Sequence, residues 1–171
     1  MRSGVDRQGP GPKSLHSLLK KACALALLFG CQNAALGAPS TFGPIIGSAV
    51  LCRSHLDNAY FYDYLSTAFG PSYKHEGGAY WFKAEGNLWG TAVSEIMVSD
   101  DSSDIIFVGA VADAAPDKLD EAIRASVGVR HEALDKSTFP VRQSRPGSKI
   151  VYFKTKSKVF CAKYKPLPIL R

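Results

Sequence analysis

The stretch AYWFKAEGNLWGTAVSEIMVSDDSSDIIFVGAVA, residues 79–112, decides the fold because it holds three β-prone runs in succession. Ala79–Lys83 is short and aromatic, Leu88–Val98 alternates in side-chain direction, and Ile105–Val111 is continuously apolar. Glu85-Gly86-Asn87 predicts a turn between the first two runs, and a polar segment separates the second from the third. These links are too short for crossover connections, so the stretch predicts an antiparallel meander.

Helix signals flank the predicted meander on both sides. Upstream, Asp57 is typical of an N-cap, and Gly70 ends a helix predicted over Ala59–Phe69. Downstream, Pro116 suits the first position of a helix that Gly128 ends. Helical spacing predicts that apolar stripes of the two helices face the core, namely Phe61, Tyr64, Leu65 and Ala68 in the first and Leu119, Ala122, Ile123, Ser126 and Val127 in the second.

The remaining segments complete a layered α+β prediction. Lys149–Lys154 and Val159–Tyr164 are predicted strands, whereas residues 130–148 have no clear period. Ala38–Gly47 is predicted to be an extended arm, and Ser48–Arg53 a short strand or lead-in. We therefore predict an antiparallel sheet of about five strands with two helices packed on one face, in the order α-β-β-β-α-β-β.

The N-terminal segment has the pattern of a secretion signal. Two lysines precede Ala22–Phe29, an apolar run of eight residues that is too short to span a bilayer but fits a signal-peptide core. Small residues follow, and cleavage between Gly37 and Ala38 avoids a proline directly after the cut. We predict a signal peptide with an extended n-region over residues 1–37 and a single α+β domain over residues 38–171.

The cysteines add an alternative and a cross-link. Leu28-Phe29-Gly30-Cys31 resembles a lipobox, so lipidation at Cys31 is the alternative to cleavage after Gly37, and only then do we expect membrane contact. Cys52 and Cys161 remain after either cut, with no CxxC spacing that would favour a metal site. The even pair predicts one disulfide, as expected in an oxidising compartment.

Charge is distributed unevenly along the chain. The formal net charge is +6, but removing residues 1–37 leaves 16 basic and 14 acidic residues, so the charge balance gives no reason to expect a nucleic-acid partner. Residues 136–171 hold ten Lys or Arg and no acid, whereas residues 38–135 hold six basic and 14 acidic residues. Either the two parts neutralise each other in one sheet, or the C-terminal hairpin presents a basic face to an acidic partner.

Candidate binding residues come from this hairpin and from the aromatic strand. The lysines suit an acidic protein, lipid headgroups or a polyanionic glycan, although edge strands also use lysine to block pairing. The tryptophans could stack on a ligand, although such rings more often pack in a core. The candidates are Lys154, Lys156, Lys158, Lys163, Trp81 and Trp89.

No catalytic, cofactor or metal motif is evident in the sequence. G-x-S-x-G and H-E-x-x-H do not occur, so no catalytic residue, cofactor or metal is assigned. His75 and His131 are each followed by a glutamate, but adjacent side chains on a strand point apart and cannot chelate one ion. A small hydrolase that uses one of these histidines with a nearby carboxylate remains an alternative function.

A local pattern gives a weak family resemblance. The helix end Tyr64–Pro71, followed after a loop by the aromatic strand Ala79–Phe82, resembles β-lactamase-inhibitor-like domains, including small outer-membrane assembly lipoproteins. The chain also resembles small exported bacterial proteins of unknown function. The first resemblance implies a domain that binds other proteins and has no active site.

The sequence predicts a binding protein more than an enzyme. We expect an exported, periplasmic or secreted, non-enzymatic protein that binds an envelope or extracellular protein or a polyanionic surface. The alternatives are a lipid-anchored envelope assembly or stability factor, attached through Cys31, and the small hydrolase.

Overall fold

The computed structural model describes residues 37–165, which form one sheet covered by three helices. The prediction of about five strands and two helices is wrong, because the sheet has eight strands and an additional helix precedes the two predicted ones. The helices are α1 (Phe42–Val50), α2 (Asn58–Phe69) and α3 (Pro116–Val127). The strands are β1 (Lys74–His75), β2 (Ala79–Leu88), β3 (Thr91–Ser99), β4 (Ile105–Ala112), β5 (His131–Ala133), β6 (Arg142–Ser144), β7 (Lys149–Phe153) and β8 (Lys156–Tyr164).

All strand pairs in the sheet are antiparallel, in the order β1-β2-β3-β4-β8-β7-β6-β5. The predicted meander forms the first half of the sheet. After β4 the chain passes through α3 to the far edge and returns strand by strand to β8, which pairs with β4. The two halves therefore meet at the centre, where Val108 lies opposite Cys161.

The core lies between the helices and one face of the sheet. Phe42, Leu65 and Leu119, one from each helix, are at most 2% exposed and belong to the same apolar cluster. The sheet contributes alternate residues to this cluster, because successive side chains on a strand point to opposite faces. They include Phe82, Ala84, Ile96, Val98, Val108, Ala110, Ile150, Val159 and Cys161.

Helix α1 replaces the predicted arm and lead-in strand. The prediction was wrong because Pro and Gly suggested irregular structure, whereas Phe42, Ile46 and Val50 recur at helical spacing and are buried. Tertiary packing of this apolar stripe outweighs the weak helix propensity of glycine. Gly47 brings the helix close to Trp89, since a Cβ there would lie 3.6 Å from the indole.

The first turn of the meander lies at a different place from the predicted one. β2 continues through Glu85-Gly86-Asn87 with a register shift between Lys83 and Gly86, so this segment is a bulge in the strand. The chain reverses at Trp89 and Gly90, with φ of 54° and 80°. Positive φ at both central residues is the geometry of the tight turns that match the strand twist. Tryptophan gives no sequence signal for such a turn.

Two helix ends and the cross-link confirm sequence predictions. The Asp57 carboxylate accepts a hydrogen bond from the Tyr60 backbone N–H at 3.1 Å, as an N-cap does. Gly128 ends α3 in the left-handed conformation. The predicted disulfide joins Cys52, just after α1, to the buried Cys161 of β8, with their Cα atoms 5.1 Å apart.

Candidate functional site

The helices cover only one face of the sheet, and no described helix packs on the other, which we call the open face. By strand alternation this face carries Trp81, Met97, Gly109 and Phe160, which lie in one row across β2, β3, β4 and β8. Met97 is nevertheless only 6% exposed. Larger side chains therefore lie across the open face and cover its middle.

Lys158 occupies the centre of this arrangement. Its Nζ lies 4.7 Å from the ring centroid of Trp81 and 4.0 Å from that of Phe153. Trp81 belongs to β2 and Phe153 to β7, so the lysine bridges rings from opposite halves of the sheet. Ammonium groups this close to aromatic faces are held by cation–π attraction.

A second ammonium group shares the Trp81 ring. The Nζ of Lys74, which is paired with Trp81 across β1 and β2, lies 4.2 Å from the same centroid and 3.3 Å from Glu76 Oε2. Burial lowers the pKa of Lys158, and the charge of Lys74 lowers that pKa further. Two cations are thus held near one ring at some electrostatic cost.

Glu95 is a carboxylate on the open face. Glu95 accepts hydrogen bonds from Lys83 Nζ at 2.5 Å and from the Tyr73 hydroxyl at 2.8 Å. Burial alone would raise the pKa of Glu95, but these two hydrogen bonds and the lysine charge bring it below its usual value. The glutamate is committed to its neighbours and leaves Lys158 without a direct salt bridge among the described residues.

The middle of the open face is closely packed, and a cavity lies at one end. Gly109 allows close packing, because a Cβ there would lie 3.1 Å from both Met97 Cγ and Phe160 Cβ. A cavity of about 250 Å³ lies nearer the β7–β8 turn, between Lys83 and Lys156. This cavity is smaller than the pockets that usually enclose small-molecule ligands.

The structure divides the six candidate binding residues differently from the sequence. It brings Lys158 to Trp81, and it places Lys154 in the β7–β8 turn, 5.9 Å from the Phe153 centroid. Lys156 pairs with Asp113 at the end of β4. Lys163 is exposed near the end of β8 and, by alternation, lies on the side opposite Lys158.

Trp89 does not join this set, since it forms the β2–β3 turn and packs against α1 at Gly47. Lys74, which was not a sequence candidate, does join it. Its only sequence signal is its position three residues before Gly77-Gly78, a pair typical of turns.

His75 forms a dyad with a carboxylate, as the hydrolase alternative requires. Its Nε2 lies 2.5 Å from Asp100 Oδ2, and its ring stacks on Tyr80 with centroids 4.3 Å apart. Asp100 is buried and also accepts hydrogen bonds from the hydroxyl and backbone N–H of Ser102. The Ser102 hydroxyl, then His75, lowers the pKa of Asp100 to about 2.

His131 lies in a buried polar chain that sequence reasoning missed. Its Nδ1 lies 3.1 Å from Asp120 Oδ1, and its Nε2 lies 2.6 Å from the Ser148 hydroxyl, which in turn lies 3.0 Å from Ser144. Burial lowers the pKa of His131, although Asp120 opposes this. The order of groups matches the Ser-His-Asp triad of hydrolases. The Ser148 and His131 side chains are fully buried, however, so they are not accessible to a substrate. Here these hydrogen bonds link α3 to β5 and to Ser148, the residue directly before β7.

Within residues 37–165 no group of three or more His, Cys, Asp or Glu side chains is placed to hold a metal ion. In the same part of the chain, no helix has the length and apolarity needed to cross a bilayer. The predicted leader, including Cys31, lies outside the described residues.

Comparison of the chain with protein-family models, with curated proteins and with solved structures found no match. The function is therefore inferred from the contacts, burial and charge of the residues themselves.

Proposed function

We propose that the protein is an exported binding protein that holds an anionic partner on the open face of its sheet. The observation that carries this proposal is the position of Lys158, held over Trp81 and Phe153 with Lys74 beside it. Ammonium groups fixed on aromatic rings lose little freedom on binding, so they form a preorganised anion site. Lys149 and Lys154 extend the positive surface around that centre, whereas Lys83 and Lys156 are paired with Glu95 and Asp113.

Export is supported by the cross-link. A disulfide between Cys52 and Cys161 persists most readily in an oxidising compartment. Ala38, the residue after the predicted cut, is half-buried, and its N–H donates to the Glu85 carbonyl at 3.3 Å. Mass spectrometry of the protein from its native host tests this proposal. We expect an N-terminus at Ala38, whereas a diacylated Cys31 would instead establish the lipid-anchored alternative.

Salt elution from a sulfated cation-exchange matrix tests the open face. The double variant Lys149→Gln/Lys158→Gln removes two charges from this face, and Lys118→Gln/Lys136→Gln removes two charges elsewhere. Both variants have the same net charge, so a difference between them reports the position of the lysines. We expect the open-face variant to elute at clearly lower salt, because it loses more of the contacts that salt screens. Equal elution of the two variants would contradict the proposal.

The hydrolase alternative is favoured by one observation, the hydrogen bond between the half-exposed His75 and the buried Asp100. A histidine oriented by a carboxylate can act as a general base. Hydrolysis of simple ester substrates by the wild type and its loss in His75→Ala would support this alternative. Activity that survives the substitution would exclude His75 as the base.

A further inference from the structure

A cavity at the β5–β6 edge of the sheet has the chemistry of a carboxylate site. Its volume of about 440 Å³ lies within the range of small-molecule sites. The residues that line it include Arg130, Glu132, Gln143, Arg145, Gly128 and Pro146. We infer that this cavity, here called the arginine cavity, binds a carboxylate group through the guanidinium groups of Arg130 and Arg145. The inference deepens the proposed function, on which it rests, by naming the anion and the place that holds it.

Strand register places the arginine cavity on the same side of the sheet as the open face. Glu132 lies opposite Gln143, Gln143 opposite Lys149, and Lys149 opposite Phe160. Phe160 belongs to the row that crosses the open face. Each arginine lies two positions from Glu132 or Gln143, so by alternation its side chain is on this side too. The arginine cavity therefore continues the positive surface from Lys149 to the edge of the sheet.

Buried hydrogen bonds fix the backbone beside both arginines. Arg130 directly precedes His131, whose backbone N–H donates to Asp120 Oδ1 at 2.7 Å. The second arginine directly follows Ser144, whose backbone N–H donates to the Ser148 carbonyl at 2.9 Å. The His131 ring and the Ser148 hydroxyl are in turn 2.6 Å apart, so the two sides of the cavity are linked. A fixed backbone lowers the entropy that the arginines lose when they bind a ligand.

The two guanidinium groups form no salt bridge among the described residues. The neighbouring Arg142 differs, since it pairs with Asp117 of α3. Glu132 lines the same cavity without a salt bridge to either arginine. A guanidinium group can donate two parallel hydrogen bonds to one carboxylate, so these arginines are suited to a ligand that supplies one.

The lining charges favour a single carboxylate over a phosphate dianion. Two guanidinium groups and the Glu132 carboxylate leave one net positive charge, which one carboxylate balances. Glu132 would repel a second negative charge, and it can accept a hydrogen bond from an N–H beside the ligand carboxylate. Leu134, which is 59% exposed, lies by alternation on the same side as Glu132 and offers an apolar contact. These features match an N-acylated amino acid with an apolar side chain, either as a small molecule or as the C-terminus of a polypeptide.

Calorimetry with N-acetyl-leucine and its amide tests the inference. We expect N-acetyl-leucine to bind at least tenfold more tightly than the amide or inorganic phosphate, because it alone presents one carboxylate with an adjacent N–H. A decapeptide that ends in leucine distinguishes the two sources of this group. If the peptide with a free C-terminus binds more tightly than N-acetyl-leucine, and its amidated form does not bind, the ligand is a polypeptide end. Equal affinity of the free peptide and N-acetyl-leucine assigns the site to small acids.

Two double variants locate the binding. Arg130→Gln/Arg145→Gln should weaken the binding of N-acetyl-leucine at least tenfold, because it removes the charged donors. The control Arg53→Gln/Arg124→Gln has the same net charge, changes two exposed arginines that do not line the cavity, and should alter the affinity less than twofold. All four arginines are exposed, so both variants should keep the Tm of the wild type. Glu132→Gln should raise the affinity for phosphate several-fold, because it removes the repelling charge.

Other outcomes overturn the inference. Equal binding of N-acetyl-leucine and its amide would show that the carboxylate is not recognised, and tighter binding of phosphate would replace it with another anion. Equal losses in the two double variants would place the site outside the arginine cavity. If neither N-acetyl-leucine nor the free peptide bound at millimolar concentration, the inference would be wrong. The proposed function would then still be decided separately, by the salt elution of Lys149→Gln/Lys158→Gln.

Discussion

Reduction of the disulfide is expected to remove a large part of the stability of the folded protein. Cys52 and Cys161 are separated by 109 residues, so the cross-link restricts almost the whole described chain in the unfolded state. With the chain-entropy relation, a loop of this length gives about 16 cal/mol/K, or about 5 kcal/mol at 25 °C. Since domains of this size are stable by roughly 5–15 kcal/mol, reduction should approach the limit of stable folding.

Urea unfolding of the oxidised and the reduced protein measures this contribution. We expect the free energy of unfolding to fall by about 4–5 kcal/mol, which corresponds to a decrease in Tm of roughly 15 °C for a domain of this length. The double variant Cys52→Ala/Cys161→Ala should unfold like the reduced protein and should not respond to reductant. A loss below about 1 kcal/mol on reduction would refute the reasoning, because it would mean that the unfolded chain is already restricted without the bond.

Two smaller perturbations test the packing and a buried charge. Gly86→Ala should cost about 1–3 kcal/mol, because its Cβ would lie 2.6 Å from the buried Phe42 ring. The matched Gly43→Ala in α1 meets no atom within 4 Å and should stabilise by about 0.5–1 kcal/mol, and urea unfolding that gave both variants the same sign would contradict this packing. Because the pKa of Asp100 is lowered to about 2, its hydrogen bonds to Ser102 and His75 stabilise the protein above about pH 4, and that stability is lost as pH falls through about 2. A series of Tm measurements should show this loss in the wild type and not in Asp100→Asn, and parallel pH profiles for the two proteins would disprove it.

The sequence was most informative where local chemistry determines an element. Asp57 and Gly128 were identified because a cap is made by one residue acting on its own neighbourhood. The disulfide was identified because only two cysteines remain after the predicted cleavage. Neither inference required knowledge of distant contacts.

Elements decided by distant contacts were missed or misplaced. Helix α1 contains glycine and proline, and it forms because Phe42 and Ile46 bury against the sheet. β5 and β6 have three residues each, too few for a detectable alternation, and they exist because they pair with each other and with β7. The turn at Trp89 follows from the register of β2 on β3.

The candidate site shows the same limit more clearly. Trp81 and Lys158 were both candidates, but the sequence treated them as parts of two separate features, an aromatic strand and a basic hairpin. They meet because β8 pairs with β4, a fact that depends on the path of the chain through α3 to the far edge of the sheet. Lys74 joins them through its register opposite Trp81 on a strand of two residues.

The polar groups of this fold differ in whether they have hydrogen-bond or charge partners within the structure. His131 is buried, but its hydrogen bonds to Asp120 and Ser148 hold two layers together, so its presence follows from stability. Asp100 is likewise satisfied by its neighbours. Lys158 is different, because it is partly buried beside a like charge and has no acid in direct contact among the described residues. A bound anion would give this ammonium group a charge partner, and for this reason we propose that the open face is the binding surface.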